Sequence, residues 1–236
     1  MTQAVILAGG LGTRLGSLTS QTPKSLVQVL GEPFIDWQLK LLQSKGITEV
    51  ILCLGHLGNQ VIDFLNERNY EDLKIKFSHD TFPNQGTLGA LLNASHLLDD
   101  IFFVTYGDSF LDTDYMHLLR DFNTIPETIL MTFTRQMSTS DFANIMKKRG
   151  RLISYKKNLE LRKEYTFTDY GLLILRKNSL EHLNIGVNDL SIALEVVSEK
   201  NLVAGQEIAN RYYEIGSSAG IIELEEYLQG SAKWIM

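Results

Sequence analysis

The sequence predicts an α/β fold: a mostly parallel sheet flanked by helices, with an antiparallel lobe in the second half. Two observations carry this. Short apolar runs alternate with amphipathic stretches through the first half, and strand–helix alternation of that kind implies parallel strands covered on both faces. The second half loses the alternation and strings together strand-like segments with a tight turn between them.

The elements follow in order. "AVILA" (4–8), "EVILCLG" (49–55) and "IFFVTYGD" (101–108) read as buried strands, and "LKIKFSHD" (73–80) alternates as a partly exposed one. Pro33 starts a helix with Ile35, Leu39 and Leu42 on one face, and Gly46 closes it. Leu57 to Leu65 gives a second helix, and "TLGALLNASHLL" (87–98) a third, with Thr87 as its N-cap. Further on, "ETILMTFTRQ", "FANIMKKRGRLISYKKN" and "TDYGLLILRK" read as strands, with a hairpin turn near Arg149–Gly150. Helices are expected at 189–199 and 218–228. No linker, repeat or low-complexity tract interrupts the chain, so residues 1–236 are expected to form one domain with a large core.

Composition narrows the partners. The apolar fraction of 44% and charged fraction of 21% are those of an ordinary soluble globular protein. A net charge of −6 without a basic block argues against nucleic acid, which needs a cationic footprint. Small anionic substrates stay open, because a few aimed cations act inside an acidic protein. The lone Cys53, in "VILCLG", reads as an inert buried thiol suited to a reducing cytosol. "AVILA" is too short for a signal peptide, and no apolar run approaches a membrane span. The expectation is a cytoplasmic protein with no membrane partner, as a monomer or homodimer. The histidines at 56, 79, 96, 117 and 182 lack metal-type spacing, and no Ser-His-Asp or Cys-His arrangement stands out.

The chemistry is concentrated in "AVILAGGLGTRLGSLTSQTPKSL" (4–26), where a strand runs into Gly9, Gly10 and Gly12. A dinucleotide cradle needs G-x-G-x-x-G opening straight into a helix. Here Gly16 is one position late, and the polar "GSLTSQTPK" forms no helix. The acidic residue expected about twenty positions on could only be Glu32, in a loop before Pro33. The phosphate loop G-x-x-x-x-G-K-[ST] is missing altogether. An idle glycine turn explains the glycines but not the company of Thr13, Arg14 and Lys24. Nucleotidyl transfer explains the whole stretch. Glycines let backbone N–H groups approach a triphosphate, and Arg14 offers a planar fork to its oxygens. Pro23 returns the loop to Lys24, a second cation for charge building at the α-phosphorus.

"LAGGLGTRLGSLTSQTPKSLVQVLGEPF" resembles the signature of the sugar-phosphate nucleotidyltransferases, closest in layout to the short heptose and mannose 1-phosphate guanylyltransferase-like members. The resemblance implies a Rossmann-like domain, with nucleotide in 1–125 and sugar phosphate in 126–236. It implies attack of a sugar 1-phosphate oxygen on the α-phosphorus of an NTP, giving NDP-sugar and pyrophosphate for cell-surface polysaccharide or glycoconjugate precursors. GTP is the first choice; uridylyl, cytidylyl and thymidylyl transfer remain alternatives, as does a non-catalytic nucleotide-sugar binding protein. The chain's end at 236 implies no fused acyltransferase or β-helix region.

Matched motif by motif, the resemblance assigns Leu7, Ala8, Gly9, Gly10, Gly12, Thr13, Arg14, Lys24, Gly86 and Asp108 to the nucleotide, with Arg14 and Lys24 catalytic. Asp108, after the strand 101–105, matches the family's G-D aspartate that holds Mg²⁺. Glu214, in "YYEIGSSAG", stands where the family usually has the D-I-G-T aspartate that completes the metal site, and still offers a hard oxygen ligand. Ser109, Asp112 and Asp114 read as turn and cap residues. In the sugar-phosphate half Lys157 matches the lysine that meets the phosphate, while Lys156 would face the other way on a strand. Asp169 stands where many members have asparagine, and as a carboxylate it accepts from sugar hydroxyls without donating. Gly171 would permit close approach of the ring.

Overall fold

The computed structural model describes residues 1–10, 21–80, 85–135, 143–157 and 163–231. Along the first half come β1 (Gln3–Leu7), a short hairpin of β2 (Gln28–Val29) and β3 (Glu32–Pro33), α1 (Phe34–Ser44), β4 (Glu49–Leu54) and α2 (Gly58–Asn66). Then follow β5 (Lys74–His79), α3 (Gly86–Asn93), β6 (Ile101–Tyr106), β7 (Ser109–Phe110), α4 (Tyr115–Phe122) and β8 (Ile129–Thr134). The rest is a hairpin of β9 (Ile145–Lys147) and β10 (Ile153–Tyr155), then β11 (Thr168–Arg176), α5 (Ser179–Leu183), α6 (Leu190–Glu199), β12 (Val203–Glu207), β13 (Tyr213–Glu214) and α7 (Ser218–Gly230).

Seven strands form one sheet in the order β12-β8-β11-β6-β1-β4-β5. Every pairing in it is parallel except those of β11, which runs against both β6 and β8. The α/β reading therefore holds, and the antiparallel character of the second half resides in β11 and the β9–β10 hairpin. β8 and β12 instead extend the parallel sheet. The segment of β12 gave no strand signal because Gly205 interrupts it. A Cβ there would lie 2.3 Å from Ile153 Cγ2, so the position is glycine to let the hairpin close on the sheet.

Alternation along β1 explains the layering. Ala4 and Ile6 bury into one apolar cluster with Ile35 and Leu39 of α1 and Tyr115 and Leu118 of α4. Val5 and Leu7 bury into another, with Leu88 and Leu91 of α3 and Ala193 and Leu194 of α6. Each such fully buried aliphatic side chain contributes about 1.5–3 kcal/mol against the entropy of ordering the chain. Both faces of the sheet around β1 are thus closed to water, and ligands of such folds sit at the strands' carboxyl ends. Because β11 runs backwards, its first residues reach that same edge.

The expected helices form, with adjustments. Gly46 follows α1 in a left-handed conformation, φ +84°. The third helix is α-helical over Gly86–Asn93 and tightens to a 3-10 turn over Ala94–Leu97. Thr87 does not cap it; its Oγ1 accepts from Leu190 N, 2.9 Å away, at the start of α6. The helix α4 was signalled only by its cap, Asp114, whose carboxylate accepts from His117 N at 2.8 Å. Asp112 is neither turn nor cap residue. It is buried, pairs with Lys45 and accepts from Tyr227 Oη at 2.5 Å.

Candidate active site

The glycine-rich turn leaves β1 at the carboxyl edge. Ala8 N donates to Cys53 O at 2.9 Å, and Gly107 N donates to Leu7 O at 3.0 Å, so the turn is tied to β4 on one side and to the end of β6 on the other. Gly9 lies against Gly55, and among the described residues nothing stands within 4 Å of where a Cβ on Gly10 would be. Gly12, Thr13 and Arg14 lie outside the described residues.

The chain returns at Pro23 with φ −60° and ψ 144°, and Lys24 begins a single 3-10 turn. Lys24 Nζ stands 2.5 Å from Asp108 Oδ2. Asp108 itself sits in the sharp turn between β6 and β7, as its place after an apolar strand implies. From the other end of the chain β13 pairs with β7, setting Glu214 opposite Ser109, and Ile215 N donates to Asp108 O at 3.0 Å. Gly216 then passes beside the Lys24 ammonium. Lys24 and Asp108 thus pair, and the β13–β7 ladder brings the backbone of Glu214 to the same edge from near the other end of the chain.

Two carboxylates with hard oxygens suit a small divalent cation that keeps several waters and takes its remaining ligands from phosphate. Among the described residues no group of three or more His, Cys, Asp or Glu could hold a metal by itself. The donor set therefore fits a cation shared with substrate better than a closed protein site.

The residues that the sequence assigns to the sugar phosphate lie at the ends of β10 and β11. Lys157 pairs with the Asp189 carboxylate, and its backbone N donates to Glu195 Oε2 at 3.1 Å. Lys156 turns instead to Glu195 and Glu199, both at 3.1 Å. Asp189 is the N-cap of α6, accepting from Ser191 N at 2.9 Å, which fixes where Lys157 is held. In β11 the pairing register shifts between Asp169 and Leu173, where Gly171 adopts φ +87°. The Asp169 carboxylate folds back on this irregularity and accepts from Gly171 N at 2.9 Å.

Burial pushes the Asp169 carboxyl up to about 6, although the Gly171 N–H draws it down. Burial therefore favours the protonated side chain more than in a free aspartate, and a protonated carboxyl donates as well as accepts. Tyr106 and Tyr155 are raised by burial first and by the Asp169 charge next. The sign of the linkage follows. A carboxyl raised on folding binds its proton more tightly in the native state, so its contribution to stability is present at low pH and lost as pH rises through about 6. Asp169→Asn is expected to remove that loss, so that its melting temperature gains on the wild type between pH 4 and pH 7. A pH-independent difference in thermal unfolding would refute this.

Gly86 has φ +72°, and a Cβ there would lie 2.3 Å from Asn188 O. The close approach that requires glycine is thus made by the loop before α6. One carboxylate escaped the motif reading. Asp80, directly after β5, lays Oδ2 where a Cβ on Gly55 would be 2.8 Å away and one on Gly9 3.1 Å away. Burial raises its pKa, and neighbouring His79 opposes the shift. A charged residue ending an alternating strand at the carboxyl edge was the available signal.

A family model described as nucleotidyl transferase matches residues 3–153. The N-acetylmuramate alpha-1-phosphate uridylyltransferase of Neisseria meningitidis is 34% identical over 128 residues, 54% of this chain and 55% of that protein. The D-glycero-alpha-D-manno-heptose 1-phosphate guanylyltransferase of Campylobacter jejuni is 34% identical over 116 residues, 49% of this chain and 52% of that protein. The chain thus aligns with about half the length of these curated relatives. Among solved structures, HddC from Yersinia pseudotuberculosis complexed with GMP-PN superposes with a TM-score of 0.79 at 23% identity, covering 96% of this chain and 99% of that one. That likeness is one of fold. No helix among the described residues is long and apolar enough to cross a membrane.

Proposed function

This chain belongs to the nucleotidyl transferase family, and from that premise we propose that it moves a nucleotidyl group, guanylyl first, from an NTP to a sugar 1-phosphate. The products are an NDP-sugar, for cell-surface polysaccharide or glycoconjugate precursors, and pyrophosphate. The observation that carries this reading is the Lys24–Asp108 pair at the open edge beside the glycine turn. A cation beside a carboxylate next to a glycine turn supports the reading, because phosphate with a divalent ion calls for both.

In this mechanism the backbone N–H groups around Gly9, Gly10 and Gly12, with Thr13, cradle the triphosphate; Leu7 and Ala8, tied into the sheet, carry the turn to the nucleotide, and Gly86 borders the base. Arg14 and Lys24 bind oxygens of the α-phosphate and of the departing pyrophosphate, where charge grows during attack. Asp108 and Glu214 would hold Mg²⁺, which when bound supplies further positive charge to those oxygens. Lys157 receives the acceptor's phosphate by exchanging its Asp189 partner for it, and Asp169 with Gly171 meets the sugar ring. The acceptor's phosphate oxygen then forms a bond to the α-phosphorus as the bond to pyrophosphate breaks. No side chain need be covalently modified, so rate comes from positioning and electrostatics.

Asp80, which lies against Gly9 and Gly55, is our candidate for reading guanine. A carboxylate accepts two hydrogen bonds side by side, and guanine presents N1–H beside its exocyclic amine. Uracil and thymine flank a single N–H with two carbonyl oxygens, which a carboxylate repels. Asp80→Asn is expected to lower kcat/KM for GTP by about 10- to 100-fold, the worth of one or two charge-assisted bonds, and to narrow the gap to UTP. An unchanged GTP preference would take Asp80 out of base reading. The deciding experiment is a matrix of GTP, UTP, CTP and dTTP against a panel of sugar 1-phosphates, read by pyrophosphate release. Release with another base reassigns the nucleotide. No release in any cell, with nucleotide-sugar still bound, leaves a binding protein in place of a transferase.

A further inference from the structure

Two polar side chains of α1 are buried with its apolar residues: Asp36, which is paired with Tyr70 and Lys40, and Gln38, between Ile35 and Leu39. Gln38 is 1% exposed. Its single amide nitrogen donates to Tyr106 O at 2.8 Å and to Ser109 O at 2.9 Å. These carbonyls bracket the Gly107–Asp108 turn, so both N–H bonds of one nitrogen close that turn from beneath the sheet. The amide has no freedom to flip, because its oxygen would then face two carbonyl oxygens. The consequence is that Gln38 Oε1 is buried with no hydrogen-bond partner among the described residues. An orphaned acceptor in a core is costly, and an apolar side chain of similar size would fill the position without it. A local rule broken beside a site is a mark of function.

We propose that Gln38 is a positioning residue for Asp108: by holding the Tyr106 and Ser109 carbonyls together it sets where the carboxylate stands relative to Lys24 and Glu214. The inference rests on the reading of Asp108 as a metal-holding residue. Residues behind a metal ligand commonly matter by about 10- to 100-fold in affinity or activity, and Gln38 stands in that place for Asp108. It touches neither substrate nor metal.

The test is Gln38→Met, which keeps the volume and removes the donors. Mn²⁺ binding is followed by electron paramagnetic resonance with the α,β-methylene analogues of GTP, UTP, CTP and dTTP in turn, so the answer does not depend on the base. Mn²⁺ affinity and kcat are both expected to fall by about 10- to 100-fold, with a smaller change in the KM for nucleotide. Should Gln38→Met fail to fold, Gln38→Asn, whose amide is withdrawn by one methylene, is expected to give the same losses. A folded variant with a lowered melting temperature but wild-type Mn²⁺ affinity and kcat would make the role merely structural and overturn the proposal. Asp108→Asn in the same assay separates the failures. If it binds Mn²⁺ like the wild type, the reading of Asp108 falls and Gln38 with it; if it loses Mn²⁺ while Gln38→Met does not, only the Gln38 inference falls.

Discussion

Alanine in place of Lys24 is expected to lower turnover by about 10²- to 10³-fold, the usual cost of removing one group aimed at developing charge, while the protein stays folded. Magnitudes decide between the two effects of the change. The Lys24 and Asp108 side chains are 17% and 31% exposed, and a pair open to water to that degree contributes on the order of 1 kcal/mol to folding. A domain with about 5–15 kcal/mol of stability survives that loss. The transition state is hit harder, because negative charge builds on the α-phosphate oxygens inside a crevice where water screens it poorly. Arginine is not expected to restore the rate fully, since its planar fork cannot replace a compact ammonium beside the Asp108 turn. Pyrophosphate release under saturating substrates measures the effect as kcat. Near-normal turnover in Lys24→Ala would end its assignment as a catalytic cation.

Much of the sheet was legible because strands buried on both faces need unbroken apolar sequence, which β1, β4 and β6 have. β12 was not, because Gly205 trades strand signal for contact with Ile153 and Phe133, a tertiary requirement. Thr87 shows the same limit at a cap: a hydroxyl suited to its own helix instead serves Leu190 across the helix pair. In the site, the turn that leaves β1 and the return of the chain at Pro23–Lys24 could be located because they are local features, and that Asp108 closes an apolar strand was equally local. Asp80 and Gln38 could not be weighted that way. Each looks like an ordinary strand-end acid or helix glutamine until the fold lays it against Gly9 or under the Asp108 turn. Nor could the pairing of Lys157 with Asp189 be foreseen, because its partner lies far along the chain at the start of α6.

Asparagine in place of Asp108 is expected to cost about 10²- to 10³-fold in metal-dependent turnover and to shift the Mg²⁺ requirement to higher concentration. The substitution is nearly isosteric, and its side-chain oxygen can still accept from Lys24, so the turn held by Gln38 and Ile215 keeps its hydrogen bonds. What it loses is negative charge, and a neutral amide is a poor ligand for a small hard cation. Glu214 alone would then face the metal. A Mg²⁺ titration of activity on the folded variant reads this directly, and an unchanged Mg²⁺ dependence would remove Asp108 from the metal site. The double variant with Lys24→Ala adds a second discrimination. Groups that act as one unit lose little more together than the worse of them loses alone, whereas independent groups multiply their losses. Because Lys24 and Asp108 touch at 2.5 Å and would serve the same phosphate oxygens, the double variant is expected to be about as slow as the slower single one. A full product of the two losses would mean that the contact between them is incidental to the reaction.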